Sequence, residues 1–490
     1  MISLLILILP LLGALTVAFA KNRQTARGVA LFSTIFTFVL ALFLPGDGGI
    51  SLLWIPGFDT YFDLDPTGAA SVLIPVAALV MIPTVLYAGA TLTERVGPFL
   101  GLLLGMQAGL NGLFLAKDLV VFYLFWEATL IPSVLMLGIW GGPERRRAAV
   151  KYLLYAVTGS FLMLVAILAI KPLSCAVSYR ISDLLLVTPN LPLSTQVWLF
   201  VGFTLAFAVK LPLWPLHSWL PDFHEQNHPS GVADVAGTLY KVGGFGFFAW
   251  AMPLLPDAAI VVAPILLALA AFTALYAATI ATTQTNLKRL LAYASLSHMG
   301  IVGVGIFGLH IAGLNGAVFL LAAQMLSTGG MFLISGMLFE RRNTFDLNAY
   351  GGLAKTAPAL AALSLFVLFT SIGVPGLANF PGEFMSLMGT FQMGGTWTTV
   401  WTVLATTSVI AAGVYGGNLD QRLYQGQEGE VVPDLRSLEA VVLIPIVAGI
   451  LWLGLNPAPQ LRRIEVQSRV AAISLENASE SPDVLARGDR

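Results

Sequence analysis

Four charged residues stand inside long apolar stretches of this 490-residue chain: Glu127, Lys210, Lys241 and Glu383. A charge at the centre of a bilayer costs roughly 3 kcal/mol on insertion scales, so it usually faces a polar path or a partner. Carboxylates and ammonium groups at depth do proton chemistry, because each changes the other's proton affinity as their separation changes. Moving Glu127 toward or away from Lys210 would load or release one proton, which Lys241 would accept and Glu383 pass to the outer side. Lys210 lies twelve residues beyond Trp198, about 18 Å along a helix, too deep to snorkel to an interface. A fixed structural ion pair between Glu127 and one lysine is the innocent alternative.

The elements that carry these groups are membrane helices. The chain is 57% hydrophobic and 10% charged, against about 25% charged residues in soluble domains. Its mean hydropathy is +0.83. Fourteen apolar segments are expected near 2–20, 28–44, 69–90, 98–116, 119–139, 149–170, 196–219, 231–253, 258–281, 289–308, 312–338, 358–391, 398–416 and 438–456. Most are long enough to cross a hydrocarbon core of about 30 Å. The reading is an all-α polytopic membrane protein. No basic stretch precedes the first segment, whereas Lys21, Arg23 and Arg27 follow it; that pattern suits an uncleaved helix with its N-terminus outside. Loop lysines and arginines then favour the cytoplasmic side by about five to one. Both termini are expected outside. After 457, LRRIEVQSRVAAISL suits an interfacial amphipathic helix and SESPDVLARGDR a disordered end.

A repeat is faintly visible. Pro215 and Pro221 flank LHSWL in segment seven, and Pro375 and Pro381 flank GLANF in segment twelve. Lys210 precedes the first pair and Glu383 follows the second. Five segments separate the two, so equivalent units would insert in opposite senses, an architecture that places ion sites at helix breaks. Pro212, Pro215, Pro375 and Pro381 are the expected break residues, freeing carbonyls for water. The divisions expected are 1–97, a first five-helix unit 98–253, an inverted second unit 254–416, a loop and last helix 417–456, and the tail 457–490.

The single cysteine, Cys175, excludes a disulfide framework, an iron–sulfur cluster or a thiolate zinc site in this chain. The five histidines show no HExxH spacing, and His217, His224 and His228 lack the ligand spacing of a metal site. Nothing in the nearly balanced charge points to nucleic acid. Gly303-Val-Gly-Ile-Phe-Gly308 matches a dinucleotide fingerprint in letters only, since it lies inside a membrane segment with no preceding strand. Gly101, Gly105 and Gly109 suit close helix packing, and Arg487-Gly488-Asp489 is a chance match in the tail.

DLVVFYLFWEATLIPS (118–133), RRRAAVKYLLYAVTGSFLMLVAI (145–167), FAVKLPLWPLHSWLPDFH (207–224), LYKVGGFG (239–246) and LKRLLAYASLSHMG (287–300) together resemble the antiporter-like subunits of respiratory complex I. Within them the chain is most similar to the NADH-quinone oxidoreductase subunit M family, because GLANFPGEFMSL carries Glu383 where sister subunits usually carry lysine. The resemblance implies fourteen helices with two inverted repeats, helices four to eight and nine to thirteen. It implies that Glu127 is the essential glutamate of helix five, and that Lys210 and Lys241 are the lysines of helices seven and eight. Glu383 would be the terminal acid of helix twelve, His298 a histidine on a hydrated central axis and Lys151 a supporting lysine on helix six. Flavin, iron–sulfur clusters and quinone would belong to partner subunits, with no cofactor here. The implied partners are the L and N subunits, and the implied place is a prokaryotic plasma membrane.

Two departures stand out. Related chains often carry histidine on helix eleven, where AAQMLSTGGMF places Gln324, a group that cannot titrate. Asp234, in HEQNHPSGVADVAG, is an extra buried-looking acid for which a helix-start or structural role is expected. A cation/proton antiporter subunit of the Mrp type, or a membrane subunit of a related hydrogenase complex, is the alternative function.

Overall fold

Runs of Leu, Ile, Val, Ala and Phe without charges leave backbone groups nothing but each other to bond, so these stretches become helices. The computed structural model describes residues 1–239, 242–426 and 431–479; Lys241 and the tail motifs beyond 479 lie outside the described residues.

The first helices are α1 (Ile2–Ala18), α2 (Arg23–Leu42), α3 (Ala70–Thr91), α4 (Val96–Leu115), α5 (Leu119–Trp140) and α6 (Arg145–Ser174). A short α7 (Ile181–Leu184) precedes α8 (Leu193–Lys210), α9 (Trp219–Gln226) and α10 (Val232–Leu239). After α11 (Gly243–Gly246) a π-helical turn, Phe247–Ala251, leads into α12 (Met252–Leu254). Then come α13 (Pro256–Thr283), α14 (Leu287–Phe307), α15 (Ile311–Arg342), α16 (Leu353–Thr356), α17 (Pro358–Ser371), α18 (Asn379–Gln392), α19 (Thr396–Leu423), α20 (Ser437–Leu455) and α21 (Ala458–Ser479). Among the described residues, 11 helices are long and apolar enough to cross a membrane, and Ile2–Ala18 and Pro358–Ser371 are shorter apolar helices.

The all-α reading missed one feature. Strands β1 (Ile50–Ile55) and β2 (Thr60–Leu64) form an antiparallel hairpin between α2 and α3. Its strands carry the branched and aromatic residues that suit a pleated surface, and Asp59 closes the turn at φ 52°.

Two helices stop in mid-span. α8 ends at Lys210 because Pro212 and Pro215 have no N–H to continue the ladder. α17 ends in a Schellman turn: Gly373 at φ 76° donates to Thr370 O and Val374 to Phe369 O, both at 3.1 Å. In each case the helix restarts four residues after the break proline, at Trp219 and at Asn379. Pro221 and Pro381 sit in the first turn of the restarted helices and not in the gaps, where a missing N–H has no intrahelical partner to lose. Pro381 is therefore not a break residue in the way Pro375 is.

α14 and α15 form the centre, with their most apolar stretches entirely buried. α18 packs closely on both because glycines line the seam: a Cβ on Gly316 or Gly382 would press on the facing backbone, as would one on Gly389. α21 is a long amphipathic helix that buries Ile464, Ser468, Ala471 and Leu475. Gln467 on it accepts the Ala69 N–H at 3.1 Å, tying it to the start of α3.

Candidate functional site

Lys210 is the last residue of α8, at the negative end of that helix, which favours a cation. Its ammonium is buried, donates to Trp126 O at 3.1 Å and Thr129 Oγ1 at 3.0 Å, and lies 4.1 Å from the centre of the Trp126 ring. These contacts are to α5 on either side of Glu127 and not to its carboxylate. Glu127 itself is only partly buried and shares a stripe of α5 with the exposed Leu124 and Ile131. Its Oε1 is nonetheless out of solvent and has no hydrogen-bond partner. A mid-helix carboxylate on the rim of the chain needs cover from something other than lipid tails. Gly243 and Gly246 bring the segment after 241 against α8, since a Cβ on either would overlap Phe207.

Lys151 on α6 donates to Ser218 O and to Asp222 Oδ2, both at 2.7 Å. It thereby fixes the start of α9 just beyond the break at 211–218. Tyr155 and Ser218 share a hydroxyl hydrogen bond of 2.9 Å beside it.

In the second half, His298 on α14, Glu383 on α18 and Tyr415 on α19 come together. His298 Nδ1 lies 2.9 Å from Glu383 Oε1, close enough for an ion pair but off hydrogen-bond alignment. His298 Nε2 is 3.2 Å from the Tyr415 hydroxyl. The other side of the Glu383 carboxylate rests against Gly373, where any Cβ would overlap it. One glycine thus closes the turn that ends α17 and makes room for the acid. Gln324 on α15 accepts from Thr328 Oγ1 at 2.5 Å, while its Nε2 is buried without a partner. Asn379, four residues before Glu383, holds Ser327 at 3.0 Å and likewise leaves its Nδ2 unpaired. Buried amides in this state mark places that accept water. Tyr415 and Asn379 were not among the residues singled out in the sequence; polar side chains facing a glycine-lined seam are the signal that would have found them.

Asp234 and Lys288 meet in a buried pair. Asp234 starts α10 as expected, but it also pairs with Lys288 at 2.7 Å and with His224 at 3.0 Å, all three fully buried. Lys288, next to the loop that precedes α14, is the second residue of that helix and has no exposure. Arg341, near the end of α15, has its side chain buried in a double contact with Glu439 at 2.7 Å on each side. Charge in sequence cannot distinguish a solvated loop residue from one half of a buried pair. Among the described residues no group of three metal-ligating side chains occurs.

At the end of the bundle that carries the hairpin, Asp118 caps α5 by accepting Val120 N–H at 2.9 Å and Tyr61 N–H at 2.9 Å. Burial pushes its carboxyl up to about 6, against the pull of those donors. Burial also holds the neighbouring Lys117 ammonium below its ordinary range, opposed by Asp65 and Asp63.

Residues 116–411 match the family described as NADH:quinone oxidoreductase/Mrp antiporter, transmembrane. The chain is 41% identical over 461 residues to NADH-quinone oxidoreductase subunit 13 of Thermus thermophilus, covering 93% of this chain and 95% of that one. It is 34% identical over 482 residues to NADH-quinone oxidoreductase subunit M of Rhodobacter capsulatus, covering 93% of both. Its fold superposes on a chain of respiratory complex I from Thermus thermophilus with bound NADH at a TM-score of 0.91 and 38% identity, covering 97% of this chain and 100% of that one.

Proposed function

The chain belongs to the NADH:quinone oxidoreductase/Mrp antiporter transmembrane family, and on that premise we propose that it is the M-type, proton-translocating membrane subunit of a bacterial NADH-quinone oxidoreductase. One observation carries the reading: the likeness to complex I subunits runs over nearly the whole of both chains. NADH oxidation and quinone reduction then occur in other subunits, where the flavin, iron–sulfur clusters and quinone would reside. This subunit moves protons.

In this reading fourteen helical spans form, the two broken ones being α8 with α9 and α17 with α18. The spans divide into the units 98–253 and 254–416, inverted with respect to each other, with both termini outside. The repeated spacing of break, restart and first-turn proline supports that symmetry. Glu127 governs whether Lys210 holds its proton, Lys241 receives it, and His298 hands it to Glu383. Tyr415 keeps His298 oriented by its hydroxyl. Gln324 acts by holding water, since an amide neither takes nor gives a proton. The partly exposed Glu127 fits cover by a neighbouring subunit, and L- and N-type subunits are the proposed neighbours.

The test begins with purification of the tagged chain from gently solubilised native membranes. A large assembly that oxidises NADH with quinone is expected. A small assembly without that activity, exchanging cations for protons in vesicles, would put the Mrp-type antiporter reading first. Within the assembly, Glu127→Gln should abolish proton translocation and Glu127→Asp should be milder. Full activity in both would remove Glu127 from the mechanism.

A further inference from the structure

The break between α8 and α9 contains a backbone donor that its own segment does not satisfy. Pro212 and Pro215 carry no N–H. Three other N–H groups turn back on the segment: Leu211 donates to Phe207 O at 2.7 Å, Leu213 to Ala208 O at 2.9 Å and Leu216 to Leu213 O at 2.6 Å. Trp214 N–H instead leaves it and donates to Thr273 Oγ1, on α13, at 2.9 Å. Thr273 is fully buried, and its own hydroxyl proton goes to Leu269 O at 2.6 Å. That second bond orients the hydroxyl, leaving a lone pair for the break. At this depth no bulk water can replace the acceptor, so the bond fixes where the chain runs after Lys210.

Ring contacts join the same two elements. Trp214 meets Phe272 edge-on with centroids 5.2 Å apart, and His217 meets Tyr276 at 5.4 Å. Phe272 and Tyr276, one turn apart on α13, stack on each other at 5.7 Å. On the other side of the break Trp219 Nε1 donates to Val209 O, next to Lys210, at 3.1 Å.

One residue further along, α13 holds α14. Ser297 Oγ donates to Ala274 O at 2.8 Å, and a Cβ on Gly300 would overlap the Ala274 backbone. Ser297 is buried and precedes His298, whose Nδ1 lies 2.9 Å from Glu383 Oε1. α13 therefore grips the Lys210 break at Thr273 and the His298 turn at Ala274. Neighbouring residues of a hydrogen-bonded helix do not move independently, so a shift at one grip reaches the other.

We propose that Thr273 is a positioning residue for proton transfer: it fixes the Lys210 break and, through Ala274 and Ser297, keeps that break in step with the His298–Glu383 pair. This rests on the proton-translocation reading above. Thr273 carries no proton in the transfer; it supplies the acceptor that the break lacks. Valine at 273 keeps the branched shape and removes that acceptor, whereas serine keeps the acceptor and gives up a methyl group. A residue that only fills space would tolerate the first change at least as well as the second.

The experiment uses the whole oxidoreductase in inverted membrane vesicles, with assembly read by NADH oxidation with an artificial acceptor. Thr273→Val is expected to assemble and to slow NADH-driven proton translocation roughly tenfold, the scale of orphaning one buried N–H. Thr273→Ser should restore the rate. Thr279→Val, on an exposed face of the same helix, should match the wild type. Ser297→Ala should also slow translocation, and combining it with Thr273→Val should be no worse than the poorer single variant, because both cut one path. Three results would return Thr273 to a packing role: wild-type translocation in Thr273→Val, losses that multiply in the double variant, or failure of Thr273→Val to assemble where Thr273→Ser succeeds. An assembly that never oxidised NADH, before any substitution, would instead refute the reading beneath it.

Discussion

Replacing Gly373 by alanine would move Glu383 without altering any titrating group. Gly373 sits at φ 76°, and a Cβ there would overlap the Glu383 carboxylate. Relieving the overlap requires the carboxylate to retreat by about 1 Å in a core with little slack. His298 stands on its other side at 2.9 Å, so the carboxylate has to swing out of the gap between the two; once that approach opens to about 4 Å, the attraction of an ionised pair at an effective dielectric of about 20 falls by about 1.5 kcal/mol. That corresponds to about tenfold in the occupancy of the close pair. Backbone strain for a residue with a Cβ adds about 1–2 kcal/mol. Gly376, at φ 89° in the same break, meets nothing within 4 Å, so Gly376→Ala carries the strain without the displacement. NADH-driven proton translocation in vesicles, normalised to assembled complex, is expected to fall about tenfold in Gly373→Ala and little in Gly376→Ala. Equal activity in the two variants would refute the claim that the position of Glu383 against His298 matters.

Gln324→His should leave translocation largely intact if, as proposed, water held by the native amide carries the proton there; a large gain, measured in the same vesicles, would show that the native relay is crippled at this position. Asp118→Asn keeps the acceptor that caps α5 and should preserve thermal stability in detergent, whereas Asp118→Ala should cost about 1 kcal/mol. The pH dependence has a definite sign. Burial raises the folded carboxyl from 3.8 to about 6, so the folded state holds its proton more tightly than the unfolded chain. The stability from that proton is present below about pH 4 and is lost as pH rises through about 6. Thermal unfolding of the wild type between pH 4 and 6 should show that downward slope, and Asp118→Asn should lack it.

Much of this protein was legible in its letters. Long charge-free runs dictate membrane helices because nothing else in lipid satisfies the backbone, and prolines at 212, 215 and 375 mark where two of them stop. The expected depth of Lys210 came from counting residues along one of those runs. Side-chain partnership did not. Which face of α5 Glu127 occupies, and that Lys210 rests on Trp126 and Thr129, depend on how α5 and α8 rotate against each other. The Asp234–Lys288 pair joins residues 54 positions apart, and the Gly373 cradle exists only because α18 folds back on the end of α17. Periodicity and composition describe one segment at a time, whereas burial of a charge is decided by the segment that packs against it.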